Sequence, residues 1–213
     1  MIMVTPDAQR TMQTYLGAGV ELSPAHVDEA LISSAQVTYL EGYLWDPPQA
    51  KEAFLKAAAL AHKAGRKVAL SLSDPFCVER HRDSFMTLLA DHVDLLFANE
   101  AEITALFQTD LSQAISAVRG HVELAAVTRG EHGSMVVTKG GNVEVPAEPI
   151  ERLVDTTGAG DLYAAGFLHA YTHGRDAALC ARIGGICAAE VISHMGPRPE
   201  TNLAKLVAAT LEI

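Results

Sequence analysis

Apolar residues in this chain follow two spacings that take turns. Short, nearly unbroken apolar runs are followed by longer stretches in which apolar positions recur every three to four residues. The first spacing predicts strands over Gln36–Leu40, Lys67–Leu72, Val93–Ala98 and Leu124–Thr128. The second predicts helices from Pro47-Pro48 through His62 and over Val78–Ala90, Ala101–Phe107 and Leu111–Val118. Ser134–Thr138 and Asn142–Val145 flank Lys139-Gly140-Gly141, a hairpin signal. Ile150–Val154 is expected to be a further strand. Three helices, Gly160–His173, Asp176–Ile192 and Glu200–Glu212, are expected to close the chain.

The amino-terminal stretch is less regular. Met1–Val4 reads as a strand, Pro6-Asp7 as a turn, and Thr11–Leu16 alternates weakly before Gly17-Ala-Gly19, which together look like a hairpin or strand pair. Ser23-Pro24 opens a helix with body Ala25–Ser33, the serine as N-cap and the proline at its first position. Strands alternating with helices of these lengths specify βαβ units. The expected fold is α/β, a three-layer, doubly wound, mainly parallel sheet with helices on both faces, in one domain over residues 1–213. Ligands of such folds sit outside the carboxyl ends of the strands. Three polar clusters fall at predicted strand ends: Asn99 with Glu100 and Glu102, Arg129-Gly130, and Gly158 to Asp161.

Bulk properties narrow the partners. The 213 residues are 49% apolar and 20% charged, which suits a compact core, and the net charge is −10 with no long basic run, which argues against a nucleic-acid surface. No apolar stretch approaches membrane-spanning length, and no signal peptide is evident. Cys77, Cys180 and Cys187 are too few and scattered for a disulfide framework and suit a cytoplasmic setting.

The chemistry concentrates in Asp155-Thr-Thr-Gly158-Ala-Gly160-Asp161. Glycines opening an apolar helix let backbone N–H groups approach an anion. Asp161, in the first turn, is either an ordinary first-turn acid or a general base beside a bound phosphate. Asn99 and Glu102 have two readings, a helix capping box or oxygen ligands for a hydrated magnesium ion. The loop after Thr128, with Gly130 and Gly133, is a turn or a wall for a nucleotide. His169 and His173 lack a third ligand and read as surface histidines.

Asp155 to Asp161 with Ala165-Gly166-Phe167 behind it, Asn99 to Glu102, and Val127 to Gly130 with Gly133 together resemble, in order and spacing, the PfkB (ribokinase-like) family of sugar and nucleoside kinases. Arg10 to Ala18, Tyr39 to Trp45 and Ser71 to Asp74 look most like its bacterial adenosine kinase branch. The resemblance implies transfer of the γ-phosphate of ATP to a primary hydroxyl of a nucleoside such as adenosine, or of a sugar such as a ketose or deoxy-sugar acid. It implies Asp161 as base and the N–H groups of Gly158, Ala159 and Gly160 as an anion hole. Asn99 and Glu102 would hold magnesium through water, and Thr128, Gly130 and Gly133 would line the nucleotide. Asp155 and Thr157 are candidates for a monovalent cation such as potassium, and Glu41 and Tyr43 for acceptor contact. Family members carry strands and most of a lid before the segment corresponding to Met1, so residues 1–20 are expected to be a lid remnant. Weak binding of ATP or ADP with magnesium and poor or no turnover are expected; the alternative is a non-catalytic, truncated nucleotide-binding product, and a homo-oligomer is left open.

Overall fold

The computed structural model describes residues 1–212. Its elements run β1 (Ile2–Val4), β2 (Arg10–Met12), α1 (Glu29–Ser34), β3 (Val37–Glu41), α2 (Pro48–Lys63), β4 (Lys67–Ser71), α3 (Pro75–His92), β5 (Leu95–Asn99), α4 (Glu100–Phe107), α5 (Leu111–Val118), β6 (Leu124–Thr128), β7 (Ser134–Thr138), β8 (Gly141–Val145), α6 (Ala159–Thr172), α7 (Ala177–Val191) and α8 (Leu203–Leu211). A six-stranded sheet has the order β3-β4-β5-β6-β7-β8, and β1 and β2 form a separate antiparallel pair. β3, β4 and β5 run parallel, in a register that sets Leu40 beside Leu70 and Leu70 beside Leu96. This is the expected α/β architecture with a mostly parallel sheet.

The chain divides into two compact units, one comprising residues 16–127 and 137–142, the other residues 1–15, 128–136 and 143–213. In the first, the apolar runs are the buried strands: Val68, Ala69, Leu70, Leu95 and Leu96 have no exposed surface. α2 turns Ala50, Ala53, Phe54, Ala57, Ala58 and Ala61 inward at helical spacing. Trp45 stacks between Phe54 and Phe85 and donates its ring N–H to Ser84 Oγ at 2.8 Å.

In the second unit, α6 and α7 pack closely because small residues face each other. A Cβ on Gly166 would lie 2.8 Å from Cys187 Sγ, and one on Gly184 would lie 2.7 Å from the carbonyl of Tyr163. Cys180 and Cys187 are buried free thiols of this contact. Tyr163 sends its hydroxyl to Ser134 Oγ at 2.9 Å, tying α6 to the start of β7.

Four sequence expectations need correction. Ile150–Val154 forms no strand; Pro149 precedes it, Leu153 is exposed, and the Val154 N–H goes instead to Ile192 O at 2.9 Å. The helix predicted over Ala25–Ser33 is two pieces, a single turn at Pro24–His26 and then α1, because Asp28 makes its own N-cap to the Leu31 N–H at 2.8 Å. α3 starts at Pro75, not Val78, with Asp74 as cap, and carries a kink at His81. The final helix starts at Leu203, not Glu200, with Asn202 as cap. Among the described residues no helix is long and apolar enough to cross a membrane.

Candidate functional site

Two clusters carry the candidate residues, one in each unit. In the first unit, Asn99 ends β5 and caps α4. The Asn99 Oδ1 accepts the Glu102 N–H at 2.9 Å, and Glu102 answers by accepting the Asn99 N–H at 2.9 Å and its side-chain amide at 2.7 Å. The capping-box reading is thus correct as structure. It leaves a carboxylate that is 6% exposed, with no cation paired to it among the described residues. Burial, with Asp74 and Glu41 adding negative charge, pushes Glu102 from the ordinary 4.5 up to about 7, against the Asn99 hydrogen bond. A carboxylate short of positive charge fits a hydrated divalent ion. Among the described residues no group of three or more His, Cys, Asp or Glu forms a direct metal cage.

The same shift fixes a pH dependence. The folded state holds the Glu102 proton more tightly than the unfolded chain, so its penalty is absent below pH 4.5 and complete above about pH 7. In metal-free buffer, urea unfolding should show Glu102→Gln gaining on the wild type by on the order of 3 kcal/mol between pH 4 and pH 8. Parallel pH profiles for the two proteins would contradict it.

Also in this unit, Glu41 ends β3 and accepts from Ser73 Oγ, a hydroxyl that accepts the Tyr43 N–H at 3.2 Å. The Tyr43 hydroxyl donates to Ser73 O at 3.2 Å. Ser73 has φ +72°, a strained conformation for a side-chain-bearing residue. Glu41 and Tyr43 are therefore brought together around one loop.

The second unit holds the glycine motif. Asp155, 2% exposed, accepts from the Thr157 N–H at 2.9 Å, the Thr157 hydroxyl at 2.6 Å and the Gly196 N–H at 3.0 Å. Burial works to raise its pKa, but these donors outweigh it and hold the carboxyl below the usual range. Gly158 takes φ +83° and opens α6. The Ala159 N–H bonds back to Thr156 O at 3.3 Å, whereas Gly160 stands in the first turn, where helical N–H groups lack intrahelical acceptors, with open space over its Cα. Asp161 follows in the same turn, exposed at its edge. The protein around it still desolvates the carboxyl enough to raise its pKa, with Arg10 pulling the other way. Because Ile150–Val154 is not a strand, this motif hangs from Ile192 and Gly196 rather than from a strand end.

Arg10 and Ala8 are neighbours of the motif that spacing did not reveal. The Arg10 guanidinium donates to Thr156 Oγ1 at 3.0 Å, and Thr156 donates to Ala8 O through its hydroxyl at 3.2 Å and its N–H at 3.4 Å. The β1–β2 hairpin thus seats on the glycine motif across some 146 residues of sequence. Thr128 ends β6, half-buried, and Gly130 and Gly133 bend the loop after it through positive φ. Arg129 is tied to Glu144 at 3.0 Å. His169 and His173 stack on each other with no further ligand group.

A mostly parallel sheet with helices and a glycine-opened helix carrying an acid in its first turn define an α/β protein of the ribokinase-like class. Arabidopsis thaliana ribokinase, solved with ribose and ATP, superposes with a TM-score of 0.76 at 23% identity over 97% of this chain and 67% of its own, a likeness of fold. The chain belongs to the pfkB family of carbohydrate kinases, whose profile matches residues 1–203. Adenosine kinase from Sinorhizobium meliloti is 49% identical with a TM-score of 0.96, over all of this chain and 65% of its own. Adenosine kinase from Saccharomyces cerevisiae is 28% identical over 204 residues, 88% of this chain. The chain spans 59% of the length of that yeast relative.

Proposed function

We propose that this chain binds magnesium ATP at the amino end of α6 and serves phosphoryl transfer to a primary hydroxyl of a nucleoside, with adenosine as the first candidate. The observation that carries the reading is the geometry of Gly158 to Asp161: an open helix start, a carboxylate of raised pKa, and a guanidinium beside both. In this reading Asp161 takes the proton of the attacking hydroxyl, and the first-turn N–H groups with Arg10 face the charge on the transferred group. The fully bonded Asp155 holds the turn that aims them, and it is the weaker candidate, with Thr157, for a monovalent cation. Asn99 and Glu102 would hold the magnesium ion through water. Thr128, Gly130 and Gly133 line the nucleotide, and Glu41 and Tyr43 contact the acceptor. Adenosine kinases among the relatives, one of them 49% identical, support adenosine as the first candidate, while a 5-dehydro-2-deoxygluconokinase and a 1-phosphofructokinase at 28% and 33% identity keep sugar acceptors in the panel.

The test is calorimetric binding of ADP with and without magnesium, followed by transfer of labelled γ-phosphate from ATP to a panel of nucleosides and sugars. Weak, magnesium-dependent binding with slow transfer to adenosine is expected. Binding without transfer to any acceptor would leave only a nucleotide-binding protein. Arg10→Ala is expected to raise the pKa of Asp161 further, because Arg10 is what lowers it. A base must be deprotonated to act, so the acid limb of the pH–rate profile should move to higher pH. An acid limb that stays in place would separate Arg10 from Asp161.

A further inference from the structure

The glycine motif is held in place by a loop outside it, residues 193–202, between α7 and α8. Two contacts do this. The Gly196 N–H donates to Asp155 Oδ2 at 3.0 Å. Pro197 lies directly against Gly158, where an added Cβ would meet Pro197 Cβ at 2.9 Å and Cα at 3.0 Å. The loop therefore sets both the carboxylate that shapes the turn and the glycine that opens α6.

The loop has no regular structure of its own and is pinned from one side by a single buried carboxylate. Glu190, near the end of α7 with a side chain 6% exposed, accepts at Oε1 from the Glu200 N–H at 2.9 Å, the Thr201 N–H at 2.9 Å and the Thr201 hydroxyl at 3.1 Å. Its other oxygen lies 3.4 Å from His194 Nε2. A buried anion accepting two backbone N–H groups and one hydroxyl from adjacent residues is a strong local constraint, since losing it leaves those donors without a partner.

We infer that Glu190 is a positioning residue for the anion site: through the 195–201 loop it fixes Gly196 and Pro197, and through them Asp155 and the N–H groups at the start of α6. The inference rests on the proposed nucleotide reading for its functional consequence and on the geometry alone for its structural one. Glu190 touches no reacting atom in this role. It acts at a distance along the chain, from Thr201 back to Gly196.

The experiment compares the wild type, Glu190→Ala and Glu190→Gln by site-resolved amide exchange and by magnesium ADP binding. In Glu190→Ala the amides of Gly196 and Thr157 are expected to exchange about tenfold faster while those of β3 to β6 keep their rates, and ADP affinity is expected to fall about tenfold. Glu190→Gln retains an acceptor oxygen and is expected to restore both to within about threefold of the wild type. Unchanged exchange at Gly196 and Thr157, or a rise shared equally by β3 to β6, overturns the inference; the second result would make Glu190 a plain stabilising residue. Should Glu190→Ala not fold, Thr201→Val removes one donor from an exposed residue, and about twofold faster exchange at Gly196 is then required. A wild type that fails to bind ADP would defeat the nucleotide reading, while the exchange comparison would still decide the role of Glu190.

Discussion

Gly133→Ala is expected to lower the melting temperature by about 10 °C. Gly133 sits at φ +78° and ψ −132°, a conformation that a Cβ strongly disfavours. The added methyl would also lie 2.1 Å from Val145 O, 2.6 Å from Ala147 N and 2.6 Å from Pro146 C. All three are backbone atoms, so no side-chain rotation relieves the contact. The loop cannot move aside freely either, because the Arg129 N–H is bonded to Gly133 O at 2.7 Å and the Gly133 N–H to Gly130 O at 3.1 Å. Backbone strain of roughly 1–2 kcal/mol and overpacking of roughly 1–3 kcal/mol together give about 4 kcal/mol. Gly130→Ala is the control. It shares a positive φ, +56°, but a Cβ there meets nothing within 4 Å. Strain alone predicts a loss near 1 kcal/mol, or about 3 °C. Thermal melts by circular dichroism separate the two, and equal losses would show that the contact with residues 145–147 does not exist in solution.

This contrast also shows what the sequence could convey. The alternation of short apolar runs with helical spacing placed β3 to β6 and α2, α4 and α5 within a few residues, because burial on both faces of a parallel sheet imposes that pattern. Asn99 and Glu102 were legible as a pair since both readings, cap and ion ligand, demand the same spacing. Gly133 was legible as a turn, but its contact with residues 145–147 was not, because that depends on how two loops meet. Ile150–Val154 was misread for a related reason. Its apolar content is that of a strand, yet the Val154 N–H finds its acceptor at Ile192, just past α7. The split of the Ala25–Ser33 helix turned on two competing N-caps, Ser23 and Asp28, and spacing alone ranks neither.

The candidate site divides the same way. Glycines and an acid inside seven consecutive residues form a local signal, and family order strengthened it. Arg10, Thr156 and Ala8 meet only through the seating of the β1–β2 hairpin, and Glu190 reaches the motif through a loop whose residue spacing announces no such contact. Interactions over such separations are set by tertiary packing, so no periodicity announces them. What the structure adds to the motif is therefore its supports: Arg10 on one side, the 195–201 loop on the other.

Those supports frame the second large effect. Asp161→Asn is expected to slow phosphoryl transfer by about a hundredfold to ten-thousandfold, the range for removal of a positioned general base. Affinity for magnesium ADP should stay within about threefold, because in the proposed site the phosphates would be met by N–H groups that the substitution leaves in place. The two readouts together distinguish the alternatives for a first-turn acid. If Asp161 only complements the helix dipole, its replacement costs at most about 1 kcal/mol of stability and leaves transfer intact. If it repels the phosphates as a bare negative charge, Asp161→Asn tightens ADP binding and transfer falls little. A base role predicts a third pattern, lost transfer at constant affinity, and it adds a pH signature. The wild-type rate should fall at low pH as Asp161 takes up a proton, with a midpoint above the ordinary carboxylate range because desolvation raises its pKa. The residual rate of Asp161→Asn should lack that limb. In the proposed site, partial desolvation would keep Asp161 basic enough to accept a proton, and Arg10 would place a cation where the transferred phosphoryl group carries its charge.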